Sequence, residues 1–148
     1  MSALAAKVTD WLYVGNVFSC GMPEVAACCH INRSDHPEND CQRHAYPIQI
    51  ELDYCDGHEL SGHHIAVLGN FIGALTAHKV STLVHCYAGT CRSPTVAAYI
   101  LAMVDGLHPI DAFFMVDKAV YLEREGRETI NLVHRPKKQI CDLVMTSR

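Results

Sequence analysis

The residues of this chain best suited to chemistry are a cysteine and an arginine, Cys86 and Arg92, separated by five residues. Gly89 lies between them, and His85 and Ser93 flank the pair. A guanidinium can hold two oxygens of a phosphate at once, and a glycine lets the backbone turn where a Cβ would obstruct it. A positive environment favours the thiolate form of a cysteine. The spacing therefore predicts a phosphate-binding loop with Cys86 as a nucleophile towards phosphorus.

The segments on either side of this loop predict how it is held. The β-branched run 81–84 indicates a strand, and the apolar run 96–101 indicates a helix. Backbone N–H groups between a strand and a helix start curl around one concavity, and the helix adds its positive end. We expect Arg92 and the loop N–H groups to bind phosphate. The loop residues are Tyr87, Ala88, Gly89, Thr90 and Cys91.

The motif His-Cys-x-x-Gly-x-x-Arg-Ser at residues 85–93 resembles that of the cysteine-dependent protein tyrosine phosphatase superfamily. In a chain of 148 residues it is most similar to the dual-specificity phosphatases. The segment Trp11–Asn16 also resembles the opening strand of that family, with Val14 in place of its second leucine. The resemblance extends from about Trp11 to Leu143. It implies an α/β domain with a central, mainly parallel sheet flanked by helices, a phosphocysteine intermediate, and no metal or cofactor.

The resemblance also implies roles for the residues of the motif. Arg92 and the loop amides hold the phosphoryl oxygens as charge redistributes. Ser93 donates a hydrogen bond to the departing thiolate, or it is a hydroxyl that caps the helix start. His85 is expected to orient the loop rather than to exchange protons. Cys91 is expected to pack behind the loop, the alternative being a protective disulfide with Cys86 under oxidation.

The leaving oxygen needs a proton, so a carboxylic acid is expected from a second loop. The family places an Asp after the third strand, in the pattern apolar-x-apolar-x-Asp, about thirty residues before the cysteine. Here Leu52 occupies that position, and Asp53 and Asp56 follow it, 33 and 30 residues before Cys86. We expect Asp53 to be the general acid, with Asp56 as the alternative, since either can be a solvated turn residue.

Hydrophobic periodicity predicts alternating strands and helices in one domain that covers residues 1–148. The expected strands are Trp11–Asn16, Cys28–Asn32, Tyr46–Leu52 and Ser81–His85. The expected helices are Met22–Ala27, Leu60–His78, Ser93–Asp105, Pro109–Arg124 and Val133–Met145. This alternation predicts an α/β fold with a mainly parallel sheet. Asn131 and Gln139 lie where the family has an Asn and a Gln that support the active-site loop.

Composition and charge restrict the partners. Hydrophobic residues make up 49% of the chain and charged residues 19%, which is typical of an ordered globular domain. A net charge of −4 gives no overall attraction to nucleic acid or to anionic membranes. The longest apolar stretch, Pro94–Val104, is shorter than the ~20 residues of a membrane span. The N-terminus has no apolar core of signal-peptide length. The cytoplasm or the nucleus is the expected location.

Eight cysteines suggest neither a disulfide framework nor a zinc motif. No secretion signal accompanies them, and no Cys-x-x-Cys pair occurs. The adjacent Cys28 and Cys29 would point to opposite faces of a strand, which does not suit a shared metal ion. Most of the cysteines are therefore expected to be reduced, buried and structural.

The resemblance to the dual-specificity phosphatases implies a protein phosphatase that acts on phosphotyrosine and phosphoserine/threonine in phosphoprotein substrates. The loop residues Tyr87, Ala88 and Thr90 carry no positive charge, whereas relatives that act on phosphoinositides carry basic residues there. Phosphoinositides are therefore a less favoured substrate. Two other classes remain open. One is a phosphoprotein-binding module without turnover. The other is a rhodanese-type sulfur transferase, although the loops of that class lack this motif.

Overall fold

The computed structural model of the chain describes residues 5–32, 45–55, 58–86, 92–123 and 134–148. Within these ranges, five strands form one sheet and four helices pack against it. The strands are β1 (Ala5–Lys7), β2 (Leu12–Gly15), β3 (Ala27–Ile31), β4 (Ile48–Leu52) and β5 (Thr82–His85). The helices are α1 (Gly62–Ala77), α2 (Arg92–Asp105), α3 (Pro109–Glu123) and α4 (His134–Thr146). In this part of the chain, no helix combines the length and apolar character needed to cross a lipid bilayer.

The strand order is β1-β2-β5-β3-β4, which places β5 at the centre of the sheet. β1 runs antiparallel to β2, and the other neighbouring strands are parallel. Parallel strands end at the same edge of a sheet, so the residues that follow β2, β3, β4 and β5 meet there. The predicted α/β fold with a mainly parallel sheet is confirmed, and Cys86 directly follows the central strand.

The two faces of the sheet are buried in different ways. One face carries Cys29 and Val84 and packs against the helices, forming the main core. Helix residues of this core include Leu68, Phe71, Leu75, Ile100, Phe113 and Ile140. The opposite face carries Cys28 and Leu83, which form a smaller cluster with Val25. Side chains alternate along a strand, so consecutive residues of β3 and β5 contribute to different faces.

The expected helix at Met22–Ala27 is wrong. The chain there forms turns, and β3 already begins at Ala27. A 3-10 turn lies earlier, at Val17–Ser19. The N–H groups of Ala26 and Ala27 both donate to the carbonyl oxygen of Ser81, at 2.9 and 3.1 Å. These residues are therefore held beside the sheet by a segment distant in sequence, which overrides their local helical pattern.

The other predicted elements are confirmed, with small differences in their ends. α1 begins after Ser61, whose hydroxyl accepts a hydrogen bond from the N–H of His64 at 3.1 Å. Gly106 adopts a φ of +66° directly after α2, as expected of a glycine at a helix C-terminus. β1 was not predicted, because Ala5–Lys7 has little strand propensity of its own and forms a strand by pairing with β2.

Candidate active site

Cys86 lies at the carboxyl edge of the sheet, with only 2% of its surface exposed. Its Sγ is 3.2 Å from Oγ of Ser93, in the first turn of α2. That hydroxyl is also 3.2 Å from the carbonyl oxygen of Gly15, at the end of β2. When Cys86 is a thiol, its S–H donates to Ser93, whose proton points to Gly15. When Cys86 is a thiolate, the Ser93 hydroxyl can donate its proton either to the carbonyl oxygen of Gly15 or to the sulfur of Cys86.

Gly15 allows this arrangement because the chain folds back tightly beyond it. A Cβ at Gly15 would lie 2.4 Å from Oγ of Ser19 and 2.6 Å from its Cβ, closer than packed atoms approach. The Ser19 hydroxyl in turn accepts a hydrogen bond from the N–H of Asn16 at 3.2 Å. A larger residue at position 15 would displace this turn, and with it the carbonyl that orients Ser93.

Arg92 is the first residue of α2, so the helix begins close to where β5 ends. The N-terminus of α2, with its positive dipole end, therefore lies at the same edge as Cys86. The five expected loop ligands lie outside the described residues: Tyr87, Ala88, Gly89, Thr90 and Cys91. Their phosphate binding, and the alternative of a disulfide at Cys91, remain predictions.

His85 points to the opposite face of the sheet from Cys86 and is 1% exposed. Its Nε2 lies 2.9 Å from Nδ1 of His30, the residue paired with it across β3 and β5. Burial lowers the pKa of His85, against a smaller opposing effect of Cys20, so its imidazole is neutral at pH 7. A neutral, buried imidazole suits the predicted orienting role. No sequence pattern predicts that His30 is its partner.

The protonation of His30 follows from its second neighbour, Gln49. Nε2 of His30 lies 3.0 Å from Oε1 of Gln49, which also accepts the backbone N–H of Tyr46 at 3.2 Å. Because a backbone N–H can only donate, this side-chain atom is an oxygen, and Nε2 of His30 must carry a proton. Nδ1 of His30 is then the acceptor for Nε2–H of His85. A hydrogen-bonded chain thus runs from the end of β5 to β4.

Asp53 directly follows β4, and its side chain is exposed at the carboxyl edge. Leu52, at the position where the family pattern has its acid, is 2% exposed and belongs to the core. The alternation continues with Tyr54, which is 1% exposed. β4 lies two strands from β5, so Asp53 stands on the order of 10 Å to the side of Cys86. The alternative acid, Asp56, lies outside the described residues.

Two side-chain amides hold the segment that follows Asp53. Asn32 donates to the carbonyl of Tyr54 at 2.7 Å and accepts its N–H at 2.9 Å. Gln139 forms the same pair of bonds with Leu60, at 2.7 and 2.6 Å. Gln139 thus holds the segment that follows the candidate acid, while its expected support of the cysteine loop concerns residues 87–91, outside the described ranges, and stays a prediction. Its expected companion, Asn131, lies outside the described residues.

His64 adds a third anchor directly at the candidate acid. Its Nδ1 accepts the N–H of Ser61 at 3.0 Å, so the proton of the neutral ring lies on Nε2. That Nε2 donates to the backbone carbonyl of Asp53 at 2.6 Å. The backbone of Asp53 is therefore fixed to the start of α1 while its carboxylate faces solvent. The sequence pattern predicts only that His64 lies on a helix, and it does not predict this contact.

Comparison with known proteins agrees with this architecture. No protein-family model and no curated protein sequence matches the chain. Human DUSP28 matches with a TM-score of 0.69 and 19% identity, over 98% of this chain and 97% of that one. The human tyrosine phosphatase-like serine/threonine/tyrosine-interacting protein matches with a TM-score of 0.75 and 16% identity, over 97% of each chain.

DUSP15 matches with a TM-score of 0.65 and 21% identity, over 97% of this chain and 88% of that one. At such identities the likeness concerns the fold. The resemblance that the motif at residues 85–93 predicts is therefore confirmed at the level of architecture. The chain has the fold of the dual-specificity phosphatases.

Proposed function

We propose that this protein is a cysteine-dependent phosphatase that removes phosphate from phosphotyrosine and phosphoserine/threonine in proteins. The observation that carries the proposal is the position of the Cys86 thiol. It lies at the end of the central strand, 3.2 Å from the Ser93 hydroxyl and beside the N-terminus of the helix that Arg92 begins. This combination suits a thiolate that faces a bound phosphate.

The first step transfers the phosphoryl group to the enzyme. The loop N–H groups and Arg92 bind the non-bridging oxygens, and the Cys86 thiolate attacks phosphorus opposite the leaving oxygen. The P–S bond forms as the P–O bond to the substrate breaks. Asp53 gives its proton to the departing oxygen, so an alcohol or phenol leaves.

The second step frees the enzyme. Asp53, now a carboxylate, takes a proton from the water that attacks phosphorus, and the P–S bond breaks to give inorganic phosphate. Ser93 supports this step, because its hydroxyl can turn from the carbonyl of Gly15 to the departing thiolate of Cys86. The sulfur then leaves with a hydrogen-bond donor already in place.

The rim of the site favours proteins over phosphoinositides. Residues 53–61, which follow β4, contain no Lys or Arg, and they include three acidic residues, Asp53, Asp56 and Glu59. A headgroup with several phosphates would be repelled by this segment, whereas a single phosphate on a peptide meets only the local positive field of the loop. The dual-specificity phosphatase fold of the neighbours agrees with a phosphoprotein substrate.

The direct test is turnover of para-nitrophenyl phosphate with reductant present and EDTA added at the start of the assay. We expect wild-type protein to release product and Cys86→Ser to lose about a thousandfold or more in kcat. Cys141→Ser, the same substitution at a half-buried position on α4, is the matched control and should retain activity. Activity that survives Cys86→Ser, or that EDTA abolishes at once, would contradict the proposal.

A phosphoprotein-binding module without turnover is the second candidate. It is favoured by one observation, the buried Leu52 at the position where the family pattern has its acid. A folded wild-type protein that binds a phosphotyrosine peptide tightly and releases no phosphate would support this candidate. Release of phosphate from the same peptide would exclude it.

A further inference from the structure

A second group of reactive side chains lies behind the central strand, on the opposite face of the sheet from Cys86. One ligand atom from each of Cys20, His30 and His85 lies within 4.8 Å of the other two. Cys28 adjoins them, with its Sγ 3.6 Å from Nδ1 of His30. The four residues, called the back cluster here, have between 0 and 8% of their surfaces exposed.

The distances in the back cluster are close to those between ligands of one zinc ion. Nδ1 of His30 lies 3.8 Å from Sγ of Cys20, 3.6 Å from Sγ of Cys28 and 2.9 Å from Nε2 of His85. In tetrahedral zinc sites, sulfur and nitrogen ligands lie about 3.6 Å apart and two nitrogens about 3.3 Å apart. The two sulfur distances from Nδ1 of His30 already fit, and the two imidazoles need to separate by only about 0.4 Å.

The hydrogen-bond pattern also suits a cation. Gln49 keeps the proton of His30 on Nε2, so the lone pair of Nδ1 faces the centre of the cluster. The sulfur atoms of Cys20 and Cys28 and Nε2 of His85 all lie around that nitrogen, so a cation placed among them would meet several ligand atoms at once. An imidazole whose outer N–H donates to an amide oxygen is the usual second-shell arrangement of a metal-binding histidine.

The cluster is assembled by rigid parts of the fold. Cys28 and His30 are alternate residues of β3 and so share one face, and His85 is paired with His30 across the sheet. Cys20 follows the capped 3-10 turn, and the next residue, Gly21, donates its N–H to Oη of Tyr46 at 2.6 Å. The ligand atoms are therefore positioned before any ion binds.

We propose that the back cluster binds one Zn²⁺ through Cys20, Cys28, His30 and His85. Binding releases the two thiol protons to solvent, and the Nε2 proton of His85 moves to the other nitrogen of its ring. No group is oxidised or reduced. One dication with two thiolates is neutral overall, which suits a site without solvent. The ion ties β3 and β5 to the Cys20 turn directly behind the candidate nucleophile, so its role is structural and it takes no part in phosphoryl transfer.

The test uses Co²⁺ as a coloured substitute in reduced, metal-stripped full-length protein carrying Cys86→Ser, which removes the candidate nucleophile as a ligand. We expect one Co²⁺ per chain, with thiolate-to-metal absorption and the strong d–d bands of tetrahedral coordination. One equivalent of Zn²⁺ should abolish both. Cys20→Ser and His30→Gln should each weaken Co²⁺ binding at least a hundredfold. Cys55→Ser, at an exposed thiol, should leave it unchanged.

Thermal unfolding keeps the test decisive if a variant folds poorly. Equimolar Zn²⁺ should raise the Tm of the parent protein and of the Cys55→Ser control, because it binds only the folded state, and should not raise that of Cys20→Ser. Octahedral Co²⁺ spectra, binding abolished by Cys55→Ser, or an unchanged affinity in His30→Gln would each overturn the proposal.

Discussion

His85 and Cys86 are neighbours in sequence, yet they serve opposite faces of the sheet. Cys86 lies with Ser93 and the start of α2, at the proposed phosphate site. His85 lies in the back cluster, closed off from solvent and hydrogen-bonded to His30. One strand end thus presents the candidate nucleophile on one side and a hydrogen-bonded imidazole on the other. Substitutions around Cys86 should change catalysis, whereas substitutions in the back cluster should change stability.

The thiols of Cys86 and Cys29 provide a second comparison, between two buried cysteines with different surroundings. Both are buried and belong to the main core, where Cys29 lies within β3 and Cys86 directly follows β5. Burial raises the pKa of Cys29, and the charge of Cys86 raises it further, so Cys29 stays protonated. Cys86 instead has a hydroxyl donor and a helix N-terminus beside it. The neighbours, rather than the degree of burial, distinguish the candidate nucleophile from the other buried cysteine.

Asp53→Asn should lower kcat by about a hundredfold, because the leaving oxygen would depart without its proton. This is the largest effect that we expect from these substitutions. The loss should be larger with phenyl phosphate than with para-nitrophenyl phosphate, since the phenoxide is the poorer leaving group. Glu51→Gln, an exposed acid two residues earlier on β4, is the control and should have little effect. Equal, small effects of both changes would move the acid assignment to Asp56.

Ser93→Ala should slow the second step, lowering kcat by about tenfold to a hundredfold while product still appears in an initial burst. The burst should be seen in stopped-flow measurements of para-nitrophenolate. Ser93→Thr keeps the hydroxyl beside Cys86 and the carbonyl of Gly15, so it should recover most of the rate. A slow mutant without a burst would place the role of Ser93 in the first step.

His30→Gln tests the other face. It removes the acceptor of His85 from a buried site, so the free energy of unfolding should fall by about 1–3 kcal/mol in urea denaturation. Activity per folded molecule should change less than it does in Ser93→Ala. A fully stable protein with activity reduced a hundredfold would mean that the two faces are not separable.

Asp117 on α3 belongs neither to the site around Cys86 nor to the back cluster. We expect it to make the stability of the protein, but not its activity, depend on pH. Burial raises its pKa from 3.8 to about 6, against a smaller lowering by Lys137. The stability that this raised pKa provides is full below pH 3.8 and is lost as pH rises through about 6. Asp117→Asn should therefore stabilise the protein at pH 7, by about 1 kcal/mol after allowance for solvent screening of a half-exposed group.

The control for this effect is Asp111→Asn in the first turn of the same helix. Its charge lies at the positive end of the helix dipole, so its removal should slightly destabilise the protein at pH 7. The measurement is Tm between pH 4 and 8. An Asp117→Asn profile parallel to that of the wild type would contradict the assignment.

The fold could be predicted because the motif at residues 85–93 resembles that of a known family and because strand and helix patterns alternate along the chain. The back cluster could not be predicted in this way. Its ligands come from three separate segments, and only the register of β3 against β5 brings His30 to His85. Local patterns carry no information on such pairing.

The prediction of a helix at Met22–Ala27 was wrong for a related reason. The carbonyl oxygen of Ser81 accepts hydrogen bonds from the N–H groups at the end of that segment. The sequence also could not identify the residues that hold the segment around Asp53 and Tyr54 in place. Asn32 and His64 are ordinary residues of a strand end and a helix start, and their role depends on contacts with Tyr54 and Asp53. Contacts between distant segments therefore account for most of what the sequence could not predict.

The central claim is that phosphate passes through the Cys86 sulfur. The most direct measurement is mass spectrometry of protein mixed with a phosphotyrosine peptide and quenched within milliseconds in detergent at alkaline pH. We predict one phosphoryl group on the peptide fragment that contains Cys86, more of it in Ser93→Ala, and none in Cys86→Ser. Phosphate release without phosphoryl transfer to Cys86, or with transfer to another residue, would contradict the account.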